Sequence, residues 1–252
     1  MRELITMAFA ARNTLFKILG ILLVSSAVEL GVFYLTLRAN EAVTLEEGIA
    51  SSRIYWIFAL SLLLTVYIIS VYGCNRFGSH PAYILNRLPI SEKRVTWLWA
   101  GYNTMILFFF WAWHIGTALV LCWMYTAIKD ISQFELTAFF AFYRSDFFHG
   151  LLPLSDFAVI LRNLLFFPSL GLSAAVFTMM QRRERTFPFY SILAVLGAVT
   201  FPMDITWETP IAVSIVSVFF LLLYGFLMRE FDDKLEGEVP YAQTYEILPA
   251  GH

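Results

Sequence analysis

The chain of 252 residues is 59% hydrophobic and 17% aromatic, whereas only 14% of its residues are charged. Soluble domains carry about 25% charged residues, so this chain has too much apolar surface for one water-soluble core. The net charge of -2 at pH 7 shows no basic excess and argues against nucleic acid as a partner.

Six apolar stretches have the length of membrane-spanning helices, because a bilayer core of about 30 Å takes about 20 residues of helix. The fifth stretch is short and bounded by Pro188 and Pro202, so a re-entrant or broken helix is an alternative there. We predict an all-α integral membrane protein with six transmembrane helices in a single domain, 1–252. The predicted spans are 15–37, 54–74, 98–121, 157–180, 188–203 and 209–228.

The positions of lysine and arginine predict the orientation, because cytoplasmic loops carry an excess of these residues. With a cytoplasmic N-terminus, twelve of the 17 basic residues fall inside and five fall outside. Both termini are therefore expected in the cytoplasm, with 229–252 as a short tail. The inner residues are Arg2, Arg12, Lys17, Arg76, Arg87, Lys93, Arg94, Arg182, Arg183, Arg185, Arg229 and Lys234, and the outer ones are Arg38, Arg53, Lys129, Arg144 and Arg162.

The segment before the first span predicts an amphipathic N-terminal helix on the inner membrane surface, because apolar side chains stand among basic ones. Simple anchoring beside the membrane explains the same residues equally well. The apolar residues are Ile5, Phe9 and Phe16, and the basic ones are Arg2, Arg12 and Lys17.

Glu29 lies well inside the first span, where a charged side chain costs about 2.5–3.5 kcal/mol on insertion scales. Ser25 and Ser26 precede it by four and three residues and so share its helical face. This face is expected to point into the helix bundle. It either lines a substrate path or bonds to a neighbouring helix, and the sequence leaves both interpretations open.

A charged segment, YILNRLPISEKRV at residues 83–95, separates the second and third spans. It belongs to a longer connection, residues 76–101, which is too polar for lipid and is broken by Pro81 and Pro89. Ser91 is well placed to cap a helix that begins at Glu92. The predicted orientation puts this short helical segment in the cytoplasm, where another protein can grip it. A plain charged loop is the alternative.

Two polar residues stand out in the third span. His114 lies between apolar and tryptophan residues, and is either a satisfied core histidine or a group that contacts a substrate or handles protons. Asn103 lies nearer the start of the span and is suited to bonding between helices or to the substrate path.

The longest outer connection, between the third and fourth spans, is rich in aromatic side chains. Such a segment is expected to form an interfacial helix that covers the outer mouth, or an aromatic belt that stabilises the fold. Its aromatic residues include Phe134, Phe139, Phe140, Phe142, Tyr143, Phe147 and Phe148.

Small side chains in two of the spans predict close helix packing. Ala112 with Gly116, and Gly171 with Ala175, have the four-residue spacing of small side chains that lets helices approach closely. Arg162, near the outer start of the fourth span, is expected to extend its charged group to the lipid headgroups.

Two kinds of site are not expected within the chain. Cys74 and Cys122 are predicted at opposite membrane faces, too far apart for a disulfide, and neither has a neighbouring metal ligand. The chain also lacks the glycine-rich GxxxxGK[ST] loop that cradles nucleotide phosphates. Work driven by ATP would need another polypeptide.

The segment LPISEK, placed between the second and third of six spans, resembles the LP-(V/I)-S-(R/E/K) segment of permeases of the type 2 class of ABC exporters. The resemblance implies a coupling helix that sits in a groove of a separate ATPase subunit. It also implies that ATP and Mg²⁺ bind on that ATPase dimer, that a second permease copy or homologue completes the pathway, and that the chain lies in a bacterial plasma membrane. The residues with the implied coupling role are Tyr83, Leu85, Arg87, Leu88, Pro89, Ile90, Ser91, Glu92 and Lys93.

The expected function is therefore a non-enzymatic permease subunit with possible substrate-path residues Ser25, Glu29, Asn103 and His114. Two other classes stay open. One is an accessory or immunity membrane protein, and the other is an intramembrane enzyme that uses Glu29 and His114.

Overall fold

The computed structural model describes residues 2–39, 44–71, 92–154, 156–182, 189–201 and 208–236. These residues are almost entirely α-helical, and five of the helices are long and apolar enough to cross a membrane. The prediction of an all-α membrane protein is thereby confirmed. In chain order the helices are α1 (Arg2–Ala39), α2 (Leu45–Ser52), α3 (Ile54–Val71), α4 (Glu92–Lys129), α5 (Phe134–Arg144), α6 (Asp146–Leu151), α7 (Phe157–Arg182), α8 (Phe189–Thr200) and α9 (Glu208–Glu236).

Helix α7 is the centre of the bundle. Most residues of its membrane-spanning part are buried, whereas most residues of α1 and α9 are not. It packs against α3, α4, α8 and α9, and it contains Pro168. A hydroxyl bond from Thr178 to the carbonyl oxygen of Ser70, 2.9 Å long, joins α7 to the end of α3.

The short helix α8 runs antiparallel to α7. The Tyr190 ring lies 4.6 Å from that of Phe177, and eleven residues later Phe201 contacts Phe166, on an earlier turn of α7. The 12 residues of α8 extend about 18 Å at 1.5 Å per residue, which is less than the thickness of the bilayer core. The predicted fifth span is thus a short apolar helix alongside five long ones.

Helices α2, α5 and α6 lie together at one end of the bundle, called the capped end below. Thr44 begins α2 with a capping box, in which its side chain accepts from the Glu47 backbone while the Glu47 carboxylate accepts from the Thr44 backbone. Arg53 ends α2 in the left-handed conformation and turns the chain into α3. The aromatic outer connection is helical, as expected.

Helices α4 and α1 both extend beyond the spans predicted from the sequence. Helix α4 begins at Glu92, as predicted, and continues unbroken to Lys129 through the whole third span. Helix α1 is also unbroken from Arg2 to Ala39, so the predicted surface helix is the first part of the first span's own helix. Within α1 the chain therefore does not turn between the predicted surface helix and the first span.

Candidate functional site

Three helices bring polar side chains together inside the bundle. Glu29 of α1 and His114 of α4 are 3% and 2% exposed, and Oε1 of Glu29 lies 3.6 Å from Nε2 of His114. Ser61 of α3 completes the group, with its Oγ 3.4 Å from the same nitrogen. Because polar side chains at membrane depth are costly, such a group is the default candidate for a functional site.

The helical period of α1 and α4 places Glu29 and His114 in the core. Buried side chains recur every three or four residues along each helix, so one face points inward. On α1 this face carries Ile18, Leu22, Ser25, Glu29, Phe33 and Leu37, and on α4 it carries Leu107, Phe110, His114, Ala118 and Leu121.

Hydrogen bonds to backbone carbonyls orient the group. Nδ1 of His114 lies 3.0 Å from the carbonyl oxygen of Phe110, one turn earlier, so this nitrogen carries a proton and donates it. The Ser61 hydroxyl donates to the carbonyl oxygen of Phe58 at 2.8 Å. Nε2 of His114 is therefore left facing both Ser61 and Glu29.

Aromatic rings surround the histidine and exclude water. The Phe110 ring lies 4.3 Å from the imidazole, and the Phe58 ring meets it edge-on at 4.9 Å. Phe58 also contacts Phe147 of α6 and Phe201 after α8, at 5.4 and 5.2 Å. This aromatic cluster (Phe58, Phe110, Phe147 and Phe201) links the histidine to α6 and to the end of α8.

An open cavity of about 290 Å³ lies beyond this cluster at the capped end. Phe147 lines the cavity and packs on Phe58, so two rings separate the cavity from His114. The other lining residues are Glu46, Glu47, Ile49, Ala50, Tyr55, Arg144, Ser145 and Asp146.

A second polar contact joins α1 to α4 close to Glu29. The indole Nε1 of Trp113 donates to Oγ of Ser26 at 2.8 Å, and the Ser26 and Thr117 hydroxyls are 3.0 Å apart. Sequence reasoning grouped Ser26 with Glu29 but missed Trp113, Thr117 and Ser61. The available signal for Ser61 was a serine near the middle of the apolar second span.

Two of the predicted site residues lie apart from this group. Ser25 is buried but donates within its own helix, to the carbonyl oxygen of Leu22. Asn103 lies between α4 and α7, where its Nδ2 donates to the carbonyl oxygen of Gly171 at 3.3 Å. Eleven residues of helix, about 16 Å, separate it from His114.

Arg162 does not extend to the surface, so that prediction is wrong. Its side chain is 1% exposed, and its Nη2 donates to the carbonyl oxygen of Gly150 at 2.8 Å. Nε and Nη2 both donate to Oδ1 of Asn163, and the guanidinium lies 4.6 Å from the centre of the Phe201 ring. These contacts tie α6, α7 and the end of α8 together, whereas Nη1 of Arg162 has no hydrogen-bond partner among the described residues.

The predicted coupling residues lie mostly outside the described part of the chain. Lys93 is half-buried in the first turn of α4, and of Glu92 only the backbone is described. Tyr83, Leu85, Arg87, Leu88, Pro89, Ile90 and Ser91 lie outside the described ranges.

The geometry restricts what the Glu29 group can do chemically. A nucleophile, histidine and acid relay needs the acid and the nucleophile on opposite ring nitrogens. Here Glu29 and Ser61 face the same nitrogen, and a backbone carbonyl occupies the other. The arrangement suits holding a proton rather than activating a nucleophile. Within the described ranges, His, Cys, Asp and Glu do not gather in threes as they would around a metal ion.

The fold and this site define an all-α, multi-pass membrane protein with a buried glutamate and histidine pair in its interior. No protein-family model matches the chain, and comparison with curated proteins and with solved structures likewise finds no match.

Proposed function

We propose that the chain is the membrane-spanning permease subunit of an ATP-driven exporter of the type 2 ABC class. The observation that supports the proposal is that Glu92 and Lys93, the last two residues of the exporter-like segment, lie in the first turn of α4. LPISEK ends within the first turn of α4, a helix of 38 residues that extends about 57 Å. This length is nearly twice the bilayer core, so α4 projects beyond the membrane.

A rigid helix of this kind gives the coupling segment a mechanical connection to the site. His114 lies 22 residues after Glu92, about 33 Å along the same helix. A partner that moves the start of α4 would therefore move His114 against Glu29 of α1. The Trp113 to Ser26 bond lies at the same crossing and would respond to the same motion.

Six crossings with both termini in the cytoplasm fit this function. Helix α8 runs antiparallel to α7, from the level of Phe177 to the level of Phe166. In this proposal α8 is the fifth of six crossings, between α7 and α9. LPISEK and both termini then share the cytoplasmic side, which the excess of lysine and arginine also favours.

In this proposal a partner subunit binds the nucleotide and the permease forms the pathway. ATP and Mg²⁺ bind on a separate ATPase dimer, because the sequence lacks the loop that cradles nucleotide phosphates. A second copy of the permease, or a homologue, supplies the other half of the pathway. The mostly uncharged, aromatic spans favour an amphipathic or hydrophobic cargo.

Co-purification tests the partner. We expect the wild-type chain in mild detergent to retain an ATPase subunit, and the double variant Leu88→Asp with Pro89→Gly to lose it. Leu154→Asp is the matched control, because Leu154 is 47% exposed at the capped end. If no ATPase subunit is retained, or if the double variant retains it as the control does, the proposal fails.

Cysteine labelling tests the orientation. In a Cys74→Ser background, an impermeant thiol reagent added to intact cells should modify Leu154→Cys and spare Glu92→Cys. Cys122 is buried and should stay unmodified in both variants. Labelling of Glu92→Cys from outside would put the coupling segment on the wrong side.

A further inference from the structure

The protons at the Glu29 group can be assigned one by one. The Ser61 hydroxyl proton is committed to the carbonyl oxygen of Phe58, and the Nδ1 proton of His114 is committed to that of Phe110. Ser61 can therefore only accept at His114. These two bonds do not determine whether Nε2 of His114 or the Glu29 carboxyl group carries a further proton.

The burial of Glu29 and His114 indicates that such a proton is present. If Glu29 were ionised and Nε2 bare, a carboxylate, a ring lone pair and a hydroxyl oxygen would face one another. Within the described part of the chain, Oε1 of Glu29 has no hydrogen-bond partner that could offset its charge. An uncompensated charge in a membrane interior is strongly disfavoured, whereas one proton on either Oε1 or Nε2 makes the pair net neutral.

Among the described residues that pack around this site, none supplies another counter-charge. Helix α3 contributes Ser61 and Phe58, and α4 contributes Phe110 and Thr117. Phe147 of α6 and Phe201 after α8 lie behind Phe58. Arg162 of α7 contacts Phe201, which contacts Phe58 and through it His114, and no ion pair between Arg162 and Glu29 occurs in the described part of the chain.

We infer that Glu29 and His114 together form a proton-binding site, which holds one proton on either Oε1 or Nε2 and is net neutral. The two atoms, 3.6 Å apart, are close enough for an ion pair but too far apart for a hydrogen bond. The proton moves between a carboxyl group with neutral imidazole and a carboxylate with imidazolium, and neither position changes the total charge. Loss of the proton to water leaves one negative charge in the bundle. Release therefore requires that α1 and α4 separate enough to admit water.

Two spectroscopic measurements on the full chain in lipid nanodiscs count the protons. The first uses ¹⁵N-histidine labelling of the variant His80→Gln, His149→Gln and His252→Gln, which leaves His114 as the single histidine of the four. Its ring-nitrogen shifts distinguish the neutral form from imidazolium. The second is infrared spectroscopy, in which a protonated carboxyl group shows a carbonyl band that a carboxylate lacks. The Glu29 band is identified by its loss in Glu29→Gln.

The two readouts give four outcomes at neutral pH. Neutral His114 with the Glu29 carboxyl band, or imidazolium without the band, supports the single proton. Neutral His114 without the band, or imidazolium with it, overturns the inference. If Glu29→Gln does not fold, Glu29→Asp keeps a carboxyl group and shifts its band, which serves the same assignment. The experiment involves no ATPase, so its result is independent of the proposed function.

Discussion

The backbone of Thr104 lies directly against Gly171, where α4 crosses α7. A Cβ atom built on Gly171 would lie 2.5 Å from Oγ1 of Thr104 and 2.8 Å from its backbone nitrogen. Side-chain atoms never pack this closely, and a backbone atom cannot move aside as a flexible side chain can. The absence of a side chain at Gly171 therefore sets the distance between the two helices.

Gly171→Ala should destabilise the protein by about 1–3 kcal/mol, the usual cost of overpacking a core. The matched control is Gly116→Ala, because nothing lies within 4 Å of a Cβ atom built there. Equilibrium unfolding in mixed micelles, followed by tryptophan fluorescence, measures both variants. Equal stability of the two variants would contradict the close approach.

The bond between Trp113 and Ser26 predicts an energetic coupling between α4 and α1. In a double-mutant cycle with Trp113→Phe and Ser26→Ala, we expect a coupling of about 0.5–1.5 kcal/mol, typical of bonds between membrane helices. The same unfolding assay on the four proteins measures it. Pairing Trp111→Phe with Ser26→Ala is the control and should give no coupling, because the Trp111 indole donates to Leu151. A coupling energy of zero in the Trp113 cycle would show that this bond does not join the helices.

Arg162→Lys should lower the unfolding free energy by about 2–4 kcal/mol, because an ammonium group cannot reproduce the paired donors or the stacking of a guanidinium. The guanidinium donates to both Asn163 and Gly150 and lies over Phe201. Arg144→Lys is the control, since Arg144 is exposed and lies 5.2 Å from the Phe140 ring. Heating in detergent, with the monodisperse fraction as readout, compares the two variants. If the two variants lost similar fractions of monodisperse protein, Arg162 would lie near the lipid headgroups, contrary to the structure.

Phe58→Ala should cost about 3–5 kcal/mol, as expected for the removal of a fully buried aromatic ring. Phe58 contacts His114 and three other rings, so its loss also opens a route from the cavity to the histidine. Phe219→Ala, which removes a ring that is 58% exposed, should change stability by no more than about 0.5 kcal/mol. Hydrogen exchange at the His114 amide and ring should rise in Phe58→Ala and stay unchanged in the control.

Helix positions followed from the sequence because they depend on local properties. Length and apolarity located α3 and α7 to within a few residues, and the serine before Glu92 predicted the start of α4. The closeness of Gly171 to another helix was also readable, since small residues at four-residue spacing favour it. The same spacing at Ala112 and Gly116 marks no close approach among the described residues, because both residues are exposed on the outer face of α4.

Arg162 shows where local reasoning failed. Its place near the start of a span predicted an exposed charge, but Gly150, Asn163 and Phe201 enclose it. Two of these partners belong to other segments, and their arrival depends on how α6 and α8 pack on α7. A rule based on depth in the membrane contains no information about such neighbours.

The sequence alone determined that the chain is an all-α membrane protein and that Glu29 and His114 lie at membrane depth, because hydropathy and helical period are properties of contiguous residues. Only the tertiary structure decided that these two side chains meet, with Ser61 on the same nitrogen. Contacts such as Trp113 with Ser26 join residues 87 positions apart. They depend on the rotation of each helix about its axis, which the packing of all neighbouring helices fixes together.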